Sequence, residues 1–129
     1  MSVSSNDFLI QGLRLLKGEC EIDQRSAISR SYYAAYHAAL QAATRLRLPP
    51  GDRSDVGAHE RLIRKFEGQG KGLKKIARSL RDKKRMRGVA DYQLEELVLL
   101  GEAEMYVKEV RMLATELNRL GTNIQEVND

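Results

Sequence analysis

The chain has a single cysteine, Cys20, and only two histidines, His37 and His59. One thiol cannot close an intrachain disulfide, and one cysteine with two histidines falls short of the ligand set of a structural zinc site. No metal or other cofactor is expected. Tryptophan is absent and aromatics make up 5% of the residues, which argues against a single-strand-binding platform of stacked bases. The two prolines are adjacent, Pro49 and Pro50, so long helices are permitted on either side of them. Apolar runs are short, Leu97 to Leu100 being typical, and with a mean hydropathy of -0.48 no membrane-spanning stretch is expected. The first residues, Met1-Ser-Val-Ser-Ser-Asn-Asp, lack the basic-then-apolar order of a signal peptide, so the expected location is cytoplasmic. No Glu-x-x-His pair occurs, which removes the di-iron bundle. The glycines Gly68, Gly70 and Gly72 alternate but follow no strand pattern, so they read as a flexible connection and not as a phosphate loop.

What is present fits one domain spanning residues 1–129, since that length supports a single core and would leave two marginal. Apolar residues are 42% and charged residues 31%, the balance of an ordinary globular protein. The net charge of +4 conceals an uneven distribution. Between Arg61 and Arg87 twelve basic residues stand against Glu67 and Asp82, a net of +10, whereas residues 88–129 carry a net of -6. Arg78, Arg81, Lys83, Lys84, Arg85 and Arg87 form the densest part. Such a cluster attracts RNA through sequence-blind phosphate contacts. It also suits a plain solvated surface, or a contact with the acidic last helix of the same chain or of a partner.

Apolar residues recur at three- and four-residue intervals with no strand-like alternation, so the expected class is all-α, an antiparallel bundle of four to five helices. A first helix is predicted from about Asn6 to Glu21, capped by Ser5 or Asn6, with Phe8, Leu9, Leu13, Leu16 and Cys20 inward. A second is predicted from a cap at Asp23 to about Leu46, ahead of a loop from Arg47 to Gly57. Short helices at Ala58–Phe66 and Leu73–Met86 follow, the second a surface helix ending at Gly88. Asp91 is the expected cap of a last helix from about Tyr92 to Leu120, with Tyr92 packed on the second helix and Leu94, Leu97, Val98, Met105, Val110, Leu113 and Leu117 buried. Gly121 should stop it, and the tail beyond should fray.

The chemically informative stretch is Ser29-Arg-Ser-Tyr-Tyr-Ala-Ala-Tyr-His-Ala-Ala39. Arg30 and His37 are seven residues apart, so on a helix they point within about 20° of each other. An imidazole that titrates near neutrality can move the 2′-hydroxyl proton of RNA, and a guanidinium can hold the phosphate. No metal is needed for that chemistry. The axial separation of about 10.5 Å requires Arg30 to lean toward His37, or a second chain to complete the site. Ala27 and Ala34 share the stripe and let another helix or a ligand approach closely. A histidine on such a face also serves simple packing.

With His59 in a short helix after the loop and Arg87-Gly-Val-Ala-Asp-Tyr92 downstream, this stretch resembles the HEPN superfamily of small helical-bundle proteins. The resemblance implies RNA cleavage without metal by Arg30, Ser31 and His37. It also implies a homodimer whose motif helices face each other, and the role of a toxin paired with a nucleotidyltransferase-like antitoxin, or of a defence protein. Noncatalytic members imply an alternative, a scaffold that binds such a partner or nucleic acid. Two departures stand out: Ser31 replaces the Asn or Asp often found after the Arg, and Ala39 stands where silenced toxins carry a modified tyrosine. Arg87 is left open between support of the fold and membership of the cleft, and Tyr32, Tyr33 and Tyr36 between the core and the interface.

Overall fold

The computed structural model describes residues 2–50 and 56–122 and, among these, five α-helices and no strand. They are α1 (Ser5–Leu15), α2 (Glu21–Arg45), α3 (Ala58–Glu67), α4 (Gly70–Tyr92) and α5 (Leu100–Arg119). The middle of the predicted loop, 51–55, and the tail from 123 onward lie outside the described residues.

Helix α1 starts one residue earlier than either expected cap allows. Ser4 Oγ accepts from the Asp7 amide at 3.3 Å and Asp7 Oδ2 accepts from the Ser4 amide at 2.7 Å, so two otherwise orphaned donors are satisfied reciprocally. The helix ends at Leu15, and Glu21 instead opens α2. Cys20, at the junction, is exposed and not part of the buried stripe, and Leu13 is only partly covered, at 38% exposed. Asp23 is not the cap of α2 but lies in its first turn with Glu21, where acidic side chains favour the positive end of the helix dipole. At its other end Arg47 takes a left-handed φ of 53° and the Leu48 amide bonds back to the Ala43 carbonyl at 3.1 Å. That is a Schellman-type stop with arginine in the place usually held by glycine.

Helix α2 is the centre of the bundle, contacting α1, α3, α4 and α5. Its alanines, Ala27, Ala34, Ala35, Ala38, Ala39, Ala42 and Ala43, are buried and keep neighbouring backbones close. One such approach is made by α1, where a Cβ on Gly12 would stand 3.2 Å from both the Ala27 carbonyl oxygen and the Ser31 Cβ. Ala27 therefore admits a helix of its own chain.

The antiparallel expectation holds for α1 and α4 against α2, since Phe8 meets His37 while Gly12 meets Ala27, and Arg87 meets Tyr33 while Ala90 meets Arg25. Helix α5 differs. Glu21 bonds the Val98 amide at one end of α2, and Arg45 bonds the Leu117 and Leu120 carbonyls at the other, so α2 and α5 run parallel.

The largest departure from expectation concerns α4. It starts at Gly70, whose φ of 84° suits only glycine well, and runs unbroken through Gly88 to Tyr92. A helical glycine costs about 1 kcal/mol relative to alanine. Burial of Ile76, Ala77, Leu80 and Ala90, together with the hydrogen bonds of Arg25 to the carbonyls at the end of α4, offsets that cost. Asp91 thus lies inside α4 and caps nothing. Helix α5 begins only at Leu100, whose preceding Leu99 amide is taken by Glu102 Oε1 at 3.1 Å. Leu94 and Leu97 are therefore exposed in the connection, Met105 is exposed on α5, and Tyr92 projects into solvent. Val98, Val110, Leu113 and Leu117 are buried as expected. No helix of the described residues is long and apolar enough to cross a membrane.

Candidate functional site

Residues three and four apart share a helix face, and on α2 this brings Ser29, Tyr32, Tyr33, Tyr36 and His37 to the side that meets α3, α4 and the start of α1. His37 is half-buried, stacked on Phe8 of α1 with ring centres 5.2 Å apart and edge-on to Tyr36 at 5.3 Å. The first turn of α3 adds His59, also half-buried, its ring 4.4 Å from that of Tyr36. His59 Nδ1 lies 2.7 Å from the Tyr32 hydroxyl. Burial, then the positive charges of Arg87 and Lys84, then His37 hold the His59 imidazole below its usual pKa, so the neutral ring is favoured. Burial raises the Tyr32 phenol well above its ordinary value, and that hydroxyl keeps its proton.

Helix α4 contributes Arg87. Its Nη2 donates to the Tyr33 hydroxyl at 2.9 Å, and its guanidinium lies 5.5 to 5.8 Å from the ring centres of Tyr32, Tyr33 and Tyr92. Its Nε is 3.0 Å from Asp91 Oδ2, but the N–H is not aligned on that oxygen: the contact is an ion pair without a hydrogen bond. Asp91 accepts instead from Ser29 Oγ at 3.1 Å. Two imidazoles, a guanidinium and three phenols thus share one partly open face. Beside it, between α2 and α3, a cleft of about 360 Å³ is lined by Tyr36, Leu40, Ala58 and Leu62 with Arg61 and Lys65. Larger hollows of about 580 and 610 Å³ lie along α3–α4 and α4–α5, away from both histidines.

The residues singled out in the sequence do not all arrive here. Arg30 is exposed and has no hydrogen bond or ion pair among the described residues. Ser31 is fully buried at the α1–α2 crossing, and its Oγ donates to the Ile28 carbonyl at 3.1 Å. It faces Gly12 and cannot orient His37.

The basic residues are spread around α4, with Arg78, Arg81 and Arg85 on one side and Lys83 and Arg87 on the other. Lys83 is buried against Glu109 of α5, with its ammonium over the Tyr106 ring, so among the described residues the ion pair with the acidic last helix is made by this lysine. Arg81 is held by Glu60 and Glu67, Lys84 lies 3.7 Å from Glu60, and Arg85 pairs with Asp82. Arg78 is exposed with no such partner among the described residues, and Arg87 belongs to the histidine cluster. The sequence leaves Arg87 open between the fold and the cleft and does not join His59 to His37; the structure puts both beside Tyr33, which His37 also contacts. The usable signal was the four-residue spacing of Tyr32 and Tyr36, which leaves a phenol-lined notch for the histidine that follows the loop. Among the described residues no three His, Cys, Asp or Glu side chains converge as a metal site would require. No family model, curated protein or solved structure matches the chain.

Proposed function

We propose that the protein is a HEPN-like, metal-independent endoribonuclease, acting in the cytoplasm as a homodimeric toxin or defence protein. The observation that carries this reading is the meeting of His37, His59 and Arg87 on one partly open face. Cleavage by the neighbouring 2′-hydroxyl needs a group to move protons and a cation to hold the phosphate. His37 supplies the first and Arg87 the second. Arg30, exposed and without a hydrogen bond or ion pair among the described residues, is available on the same helix to RNA or to a second copy. The remaining exposed cations, Arg78 among them, attract the polyanion without reading its sequence.

The test compares the wild type with His37→Ala on a mixed RNA substrate in EDTA, with circular dichroism to confirm the fold. Wild-type cleavage that falls by about 100-fold or more in the variant is the expected result. Equal cleavage by both proteins, or none by either, overturns the reading.

Two observations favour a second reading. His37 is stacked on Phe8, and Ser31 of the same motif is consumed by helix packing. In that reading the chain is a noncatalytic module that docks a nucleotidyltransferase-like antitoxin or nucleic acid, and His37→Ala lowers the melting temperature with no activity to lose.

A further inference from the structure

We infer that His59 is the second proton-transfer group of the site, working opposite His37 within one chain. This rests on the ribonuclease reading and divides its proton chemistry between two elements, α2 and α3.

Four observations lead to it. Both imidazoles contact the same two phenol rings, His37 at 6.4 and 5.3 Å and His59 at 6.1 and 4.4 Å from Tyr33 and Tyr36, so they flank a common surface. The Arg87 guanidinium is fixed over Tyr33, where it can hold a phosphate between them. His59 is anchored through Nδ1 alone, at 2.7 Å from the Tyr32 hydroxyl, which leaves Nε2 for a substrate. Finally, the charged and titratable groups facing His59 are Tyr32, Tyr33, Tyr36 and His37 from α2, and Lys84 and Arg87 from α4. Among these the two cations and the surrounding burial favour the neutral ring, the form a general base needs.

The neutral tautomer that carries its proton on Nδ1 donates it to the Tyr32 oxygen and keeps the Nε2 lone pair available. Tyr32 is then a positioning residue. In the step, Nε2 takes the 2′-hydroxyl proton as the O2′–P bond forms. The P–O5′ bond breaks, and the protonated His37 ring gives its proton to the departing O5′. The products are a 2′,3′-cyclic phosphate and a free 5′-hydroxyl, and exchange with water returns each ring to its starting state. Arg87 and Lys84 beside the newly protonated His59 hasten loss of that proton.

The experiment measures kcat/KM from pH 5 to 8 on an RNA substrate for wild type, His59→Gln, Tyr32→Phe and His37→Ala, with melting curves for each. Glutamine keeps a hydrogen-bonding group near Tyr32, so His59→Gln guards against simple unfolding. The wild-type rate should fall as pH drops through the folded His59 value, which lies below the ordinary histidine value of about 6.5, because the ring then takes up a proton. His59→Gln should lose about 100-fold or more and with it the acidic fall, while its 5′-hydroxyl product stays the same. Tyr32→Phe should lose less and keep the acidic fall at a shifted midpoint. If His37→Ala is inactive but folded His59→Gln cleaves at the wild-type rate with the same pH profile, this inference is overturned and the ribonuclease reading stands. If the wild type itself cleaves nothing, both fail together.

Discussion

Two arginines reach into the junction of α2 and α4, and they are spent in opposite ways. Arg25, 5% exposed, gives every part of its fork to the protein. It meets the Glu21 carboxylate and the carbonyls of Val89, Ala90, Gln93, Leu94 and Glu96, at the end of α4 and along its connection to α5, of which those of Val89 and Gln93 also accept a backbone amide. Arg87, a few residues upstream on α4, makes one hydrogen bond to a tyrosine, one ion pair and three ring contacts, and its Nε lacks a hydrogen bond among the described residues. A saturated guanidinium is a structural clamp. One with donors to spare, held in place by aromatic faces, is prepared for an oxyanion.

The sharpest way to break this comparison is to truncate both side chains. Arg25→Ala removes a buried guanidinium with its ion pair to Glu21 and leaves the buried Ala90 carbonyl without its side-chain donor, and should cost about 3 kcal/mol or more in urea denaturation followed by circular dichroism. Arg87→Ala removes one neutral-acceptor hydrogen bond and a partly solvated ion pair, and should cost about 1–2 kcal/mol. Equal losses would make Arg87 a second clamp and remove its claim to the phosphate. Under the ribonuclease reading the ranking inverts for RNA: folded Arg87→Ala loses cleavage, and it does so at a stability the bundle tolerates.

The same pair explains what could be read in the sequence. The all-α class, the stop of α2 before the prolines, the extent of α3 and the inward positions Val98, Val110, Leu113 and Leu117 follow from local periodicity and turn chemistry. The course of the chain after Gly88 does not. Asp91 and Tyr92 look like a helix start because cap chemistry is local, whereas their place inside α4 depends on Arg25, more than sixty positions earlier. The motif on α2 is spread out for a related reason. Helical angle places Arg30 near His37, but it does not say where α1 will lie. Gly12 draws α1 onto Ala27 and Ser31, Phe8 then covers His37, and Arg30 is left outside. His59 and Arg87 belong to other helices, and no spacing rule connects them to His37.

The smallest effect expected separates the histidine cluster from the clamp by pH. The folded His59 imidazole titrates below the unfolded chain's value, so its contribution to stability is complete above about pH 6.5 and is lost as pH falls through the folded value. Glu21 and Glu60, whose carboxyls are also held low, begin to lose their contributions only in the carboxylate range. Between pH 7.5 and 5 the difference in melting temperature between wild type and His59→Gln therefore isolates His59, since His37 is present in both. The wild type should lose more stability than the variant over that interval. Parallel curves would mean that the ring takes up its proton as easily in the fold as in water. The Tyr32 and Tyr36 contacts would then be packing alone, and nothing in the α2–α4 junction would hold the His59 ring in the neutral form that a general base needs.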